Sequence, residues 1–139
     1  RLHLTHSPYY KITLKTRAEL FWGNKDNNSE NGFLVYQDLK YRIKKITFTG
    51  RLAMFNTSSF SSAIYAYEND VLYSFSVPTY YYQGSKFYLL IKYKINSHLA
   101  LWAKYSETIF DNRDTIGSGN ERITGNKKQQ LKFQLEWKF

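Results

Sequence analysis

The chain has 139 residues, 20 Lys and Arg against 11 Asp and Glu for a formal charge of +9, and no cysteine. That is one domain's length. The missing cysteines exclude disulfides and thiolate metal sites, and no apolar run of about 18 residues exists to form a transmembrane helix. The positive charge leaves nucleic acid, an anionic membrane surface or acidic ligands as partner classes. The 13 Tyr, 10 Phe and 3 Trp exceed what the core of a soluble domain needs.

Helical periodicity is nearly absent, and period-two alternation runs through segments rich in Tyr, Phe, Ile and Leu. The chain opens on Arg1 with no leader and no initiating Met, so it is expected to be a processed product or a piece of something longer. Eight strands are expected, at roughly 9–23, 32–43, 45–56, 61–68, 71–78, 85–96, 98–110 and 128–139. They are read as a single domain over residues 1–139.

The connections between these strands alternate in length. NKDNNSEN is long, Lys44–Lys45 short, NTSSF medium, Asn69–Asp70 tight, PTYYYQG long, Asn96–Ser97 short, and the stretch from Asp111 to Gln129 the longest. In an up-and-down antiparallel meander, odd connections share one end and even connections the other. Long loops at one end and tight turns at the other are the asymmetry of bacterial outer-membrane barrels. The expected fold is therefore an all-β, antiparallel up-and-down transmembrane barrel of about eight strands, or the C-terminal eight strands of a larger one. With eight strands, both termini fall on the short-turn, periplasmic end.

The alternation assigns faces. Phe87, Leu89 and Ile91 share one face of their strand, as do Leu131, Phe133 and Leu135 of the last strand, and these are the expected lipid-facing residues. A Lys or Arg at mid-bilayer depth would cost about 2–4 kcal/mol, so this face must stay apolar. The opposite faces carry Asp38, Lys40, Arg42, Arg51, Glu68, Lys92, Lys94, Lys104, Lys132, Glu136 and Lys138. They are too charged for the dry core of a small sandwich and are read as lumen charges, paired with one another and with water. An eight-stranded lumen is filled by side chains, so an anion-favouring pore requires a larger barrel.

Strands of about eleven residues at about 3.3 Å each, tilted by about 45°, match the apolar band of about 25 Å. Aromatic belts are expected toward the long loops (Phe21, Trp22, Phe33, Phe55, Phe60, Tyr80, Tyr81, Tyr82, Phe110) and toward the short turns (Tyr41, Tyr67, Tyr73, Trp137, Phe139). The terminal strand ends on Trp137 and Phe139, which resembles the C-terminal signal that the barrel-assembly machinery reads. A soluble sandwich or lipocalin-like binding barrel also alternates; it predicts an apolar interior.

No catalytic constellation is legible. GxSxG, HExxH and phosphate-loop patterns do not occur. His3 and His6 fall on opposite faces of a strand, His98 has no partner, and Asp111, Asp114 and Glu121 lack a serine–histidine pair. Asn24, Asp26, Asn28 and Glu30 alternate as in a calcium loop, but Gly32 is misplaced and the bidentate Glu is missing, so the stretch reads as a solvated loop tip. GSGNERITGN reads as flexible turns. No enzyme activity, cofactor or metal is expected. The cations lie mostly on one enclosed face, so no nucleic-acid partner is expected either.

The run IYAYENDVLYSFSVP (64–78), the strand KFYLLIKYKIN, the stretch YSETIFDNRDTIGSGNERITGN and the terminal strand ending in Phe together resemble one family. It is the C-terminal barrel region of large Bacteroidota outer-membrane proteins described as helix-hairpin-helix domain-containing. The resemblance covers most of residues 45–139. It implies the outer membrane as location, other envelope proteins or an N-terminal part of the same chain as partners, and a structural or transport role. The helix-hairpin-helix part lies outside this sequence, so its DNA-binding suggestion attaches to no residue here, although a channel linked to DNA uptake remains an alternative.

Overall fold

The computed structural model describes residues 1–25, 28–117 and 119–139, without the side chains of Lys25, Asn28 and Glu121. The chain forms β1 (Leu2–Tyr9), β2 (Ile12–Lys25), β3 (Asn28–Ile43), β4 (Ile46–Thr57), β5 (Ile64–Tyr65), β6 (Thr79–Tyr80), β7 (Gln83–Lys94), β8 (Leu99–Phe110), β9 (Thr115–Ile116), β10 (Ile123–Thr124) and β11 (Lys127–Trp137). Seven of these make one antiparallel up-and-down sheet in the order β1-β2-β3-β4-β7-β8-β11. The protein is thus all-β, and no helix of the described residues is long and apolar enough to cross a membrane.

Several expectations change. The segment read as one strand over 9–23 is broken by a turn at Tyr10 and Lys11, which releases β1 as a strand of its own. The segments 61–68 and 71–78 do not join the sheet. Phe55 on β4 pairs directly with Gly84 on β7, which leaves no position between them. The two segments fold back on each other instead. β5 pairs with β6, Glu68 bridges Ser76, and the hairpin lies on one face of the sheet. Its arms, read as eight residues each, are shorter than the 12-residue strands β4 and β7. Pro78 removes a backbone donor where a ladder would need one. Tyr67, Tyr73 and Tyr80 therefore sit on this inner hairpin, and Phe55 and Phe110 are buried with Tyr80, so none of the five belongs to a belt. Finally, β1 and β11 have no sheet partner on their outer sides among the described residues, so the seven strands form an open sheet and not a closed eight-stranded barrel.

The end-to-end asymmetry persists. Tyr10–Lys11, Lys44–Lys45 and residues 95–98 turn at one end. The Lys25–Asn28 end of the β2–β3 ladder and the long connections 58–82 and 111–126 lie at the other. The long connections are packed, not merely flexible. Ile116 is buried with Phe55, Tyr80 and Phe110, and Gly125 accepts no strain only because glycine tolerates its φ of 117°. The termini differ from expectation. Trp137 pairs with Leu99 at the short-turn end, whereas Leu2 pairs with Ala18, midway along β2, and β1 runs from there toward the short turns.

Gly84 shows why β4, β7 and β8 approach so closely at the long-loop end. A Cβ there would lie 2.2 Å from the Ile109 carbonyl oxygen and 3.0 Å from the Phe55 ring. Above it, Phe55 meets Tyr80 and Phe110 edge-on, with ring centroids 5.3 Å and 6.0 Å apart.

Candidate functional site: the charged inner face

The register sorts every strand into two faces. The face under the inner hairpin carries Arg17, Tyr36, Asp38, Arg51, Tyr88, Lys104 and Lys132, and the opposite face carries the apolar set. Burial is inverted relative to a soluble sheet. Arg51 is 2% exposed, Lys104 3% and Glu68 2%, while Phe133 is 73% exposed and Leu52 67%. Phe87, Leu89, Leu131 and Leu135 are likewise exposed, and Ile91 is half-buried.

Unpaired buried charge is costly, so each ion on this face needs a partner. Asp38 and Arg51 are directly opposite on β3 and β4. Arg51 donates to both carboxylate oxygens, Nε to Oδ1 at 2.6 Å and a terminal nitrogen to Oδ2 at 2.8 Å. The guanidinium also lies 3.6 Å from the centre of the Tyr36 ring. Arg17 pairs with Glu19 of its own strand, and the other partners come from the inner hairpin. Lys86 and Lys104 reach Glu68 at 2.7 Å and 3.6 Å. The Tyr80 hydroxyl donates to Glu68 at 2.7 Å; burial, then the Glu68 charge, raise its pKa well above the usual tyrosine range, so it stays a donor.

Lys104 and Lys132 are directly opposite on β8 and β11. Like charges in that position repel. Asp70, carried in by the hairpin, stands between them at 3.5 Å from Lys104 and 2.6 Å from Lys132. Burial alone would push the Asp70 carboxyl up. The hydrogen bonds from Lys132 and the Val71 N–H, with the Lys104 charge, outweigh it and hold the pKa below the ordinary carboxylate value.

Toward the short-turn end the hairpin's Val71 and Leu72 pack on Tyr88, Leu90, Ala100 and Trp102. Beyond that floor lie Lys92 and Lys94. They share the inner face but are exposed and outside the network; Lys92 sits 4.8 Å over the Trp102 ring. Glu136 is half-buried, 3.5 Å from Lys138, and accepts a hydrogen bond from Tyr73 at 3.4 Å. Trp137 and Phe139 stack at 5.9 Å, both exposed.

The other sequence candidates are not brought together. His98 is held to the chain end by its ring nitrogen, 3.1 Å from the Lys138 carbonyl. Among the described residues no cluster of three or more His, Asp or Glu could hold a metal ion. Asp26 and the Asn28 side chain, part of the calcium-like spacing, lie outside the described residues, as does the Glu121 side chain; Glu30 accepts a hydrogen bond from Ser59. Sequence reading missed the role of Asn69, which donates to the Tyr88 hydroxyl at 3.1 Å. It also missed a cleft of about 330 Å³ at the long-loop end, where Arg113 lies 3.6 Å over the Tyr82 ring beside Phe60 and Tyr81.

No protein-family model matches the chain, and neither a curated protein nor a solved structure is detectably similar to it.

Proposed function

We propose that this protein is a wall segment of a bacterial outer-membrane β-barrel, non-catalytic, with its apolar face against lipid and its charged face toward the lumen. The observation that carries the reading is the inverted burial. A seven-stranded sheet buries Asp38, Arg51 and Lys104 under its own hairpin and leaves Phe133, Leu131, Leu52 and Met54 bare. In water such a surface is a liability; in a bilayer it is the required exterior, and the sheet strands β2, β3, β4, β7, β8 and β11, of 11–16 residues, are long enough to cross. The role is that of a scaffold or envelope-complex component. The long connections would face outward.

A larger barrel is favoured over a self-contained one by a second observation. The far side of the inner hairpin is aromatic and uncovered: Tyr67, Tyr73 and Phe75 are exposed, as is the outer edge of both end strands. Further strands curving around the hairpin would cover it. This fits the resemblance to the C-terminal barrel region of the Bacteroidota proteins, with a channel or transporter as the alternative role of the complete wall.

The test is membrane partition and heat-modifiable migration of the native protein, with Phe133→Arg beside it. Phe133 pairs with Ala103 near the middle of β11, where a buried Arg costs about 2–4 kcal/mol in lipid. The expected result is a detergent-requiring protein whose variant inserts poorly. A wild-type chain that stays soluble without detergent would overturn the reading.

A further inference from the structure

The rows of the inner face show how this sheet treats neighbouring cations. Where Lys104 and Lys132 oppose each other, an acid of the chain, Asp70, sits between them. One row nearer the short turns, Arg42 pairs with Thr47, and Thr47 with Lys92. A guanidinium and an ammonium thus flank a hydroxyl across three adjacent strands. The adjacent rows place Lys40 beside Thr49 and Lys94 beside Ala100. Together with Lys44 and Lys45 these six cations line a cleft of about 350 Å³, and none of its lining residues is acidic. Lys45 is engaged with the Ile95 carbonyl at 2.7 Å; among the described residues no acid pairs with Lys40, Arg42, Lys92 or Lys94.

We propose that this cleft binds a soluble phosphate oxyanion, in the place that Asp70 takes one row away. Neighbouring strands are about 4.8 Å apart, so Arg42 and Lys92 on β3 and β7 lie about 10 Å apart at the backbone. Both long side chains line the cleft with Thr47, and the flexible stem of Lys92, whose ammonium rests over the Trp102 ring, lets it turn toward a group bound there. A group between them meets a planar fork donor, a point charge and a hydroxyl donor, which matches a multiply charged tetrahedral oxyanion better than a single carboxylate. The cleft opens on the charged face, away from the apolar face, so a soluble phosphate suits it and a lipid headgroup held in a leaflet does not. The site stands on the sheet geometry alone, whatever covers the apolar face.

The experiment is calorimetric titration of the purified, detergent-solubilised protein with tripolyphosphate at low salt. Two charge-removing pairs inside the cleft, Arg42→Gln with Lys92→Gln and Lys40→Gln with Lys94→Gln, are compared with Arg122→Gln and Lys127→Gln at the far end. Retained strand signal in circular dichroism qualifies each variant. The expected result is saturable binding that weakens about tenfold or more in the cleft pairs and stays unchanged in the distal pair. No saturable binding, or equal weakening by all pairs, overturns the proposal. Binding to phosphatidylglycerol vesicles but not to tripolyphosphate overturns the soluble source.

Discussion

The inner face holds two groups of cations that the fold treats in opposite ways. Near the middle, Arg51, Lys86, Lys104 and Lys132 are each matched to a carboxylate, and three of those four rely on Glu68 or Asp70 of the inner hairpin. At the short-turn end, Lys40, Arg42, Lys92 and Lys94 share the same face, exposed, in a cleft without an acid. The difference is where the hairpin stops. At that end its contacts with the sheet are the apolar ones of Val71 and Leu72 and the hydrogen bond from Tyr73 to Glu136, and none reaches Lys92 or Lys94 with an acid. Desolvation explains the rest: charges under the hairpin lose water and must be paired, while those beyond it keep water and tolerate one another.

The comparison can be broken most forcefully at Arg51. Arg51→Met leaves the Asp38 carboxylate buried and unpaired, which should cost about 3–5 kcal/mol in reversible unfolding from detergent. Combining it with Asp38→Leu should recover most of that loss. If the single variant is as stable as the parent, the middle group is not desolvated and the contrast disappears.

A smaller effect is expected at Asp70. Asp70→Asn leaves Lys104 facing Lys132 with no anion between them and should destabilise by about 1–3 kcal/mol. The same contact should be acid-sensitive. The Asp70 pKa is lowered on folding, so its stabilisation is fully present above the unfolded value of about 3.9 and is lost as pH falls through the lower folded value. Hydrogen exchange at residues 68–74 should therefore accelerate on strong acidification, and much less so in the Asn variant. The smallest effect belongs to the open group. Arg42→Gln should change stability by no more than about 0.5 kcal/mol, toward greater stability if anything, since it relieves repulsion from Lys40 and Lys92.

Alternation makes the two faces legible in the sequence itself. The assignment of Arg51, Lys104 and Lys132 to one side and of Leu131, Phe133 and Leu135 to the other needs only period two and a register. Membership of the sheet was not legible. Residues 61–68 alternate as well as any true strand, because Ile64, Ala66 and Glu68 face the sheet while Tyr65 and Tyr67 face away. Period two reports that a segment has two faces, not which surface it meets. β1 was hidden for a related reason: the turn at Tyr10 and Lys11 itself uses no Gly, Pro or Asn, and the nearby signal, Ser7–Pro8, falls inside β1, where the register shifts. The pairing of Asp70 with Lys132, 62 positions apart, depends on the hairpin's placement and has no local signature.

The order of the sheet carries a consequence for arithmetic. Each strand reverses its neighbour, and there are seven, so β1 and β11 point the same way. Bacterial outer-membrane walls of a single chain close with an even count, every strand meeting two antiparallel neighbours. These seven can enter such a wall only with an odd number of companions: an even number would set two strands side by side in the same direction at the seam. On the proposed barrel reading, parity therefore makes the strand count of any wall that includes these seven a discriminating quantity.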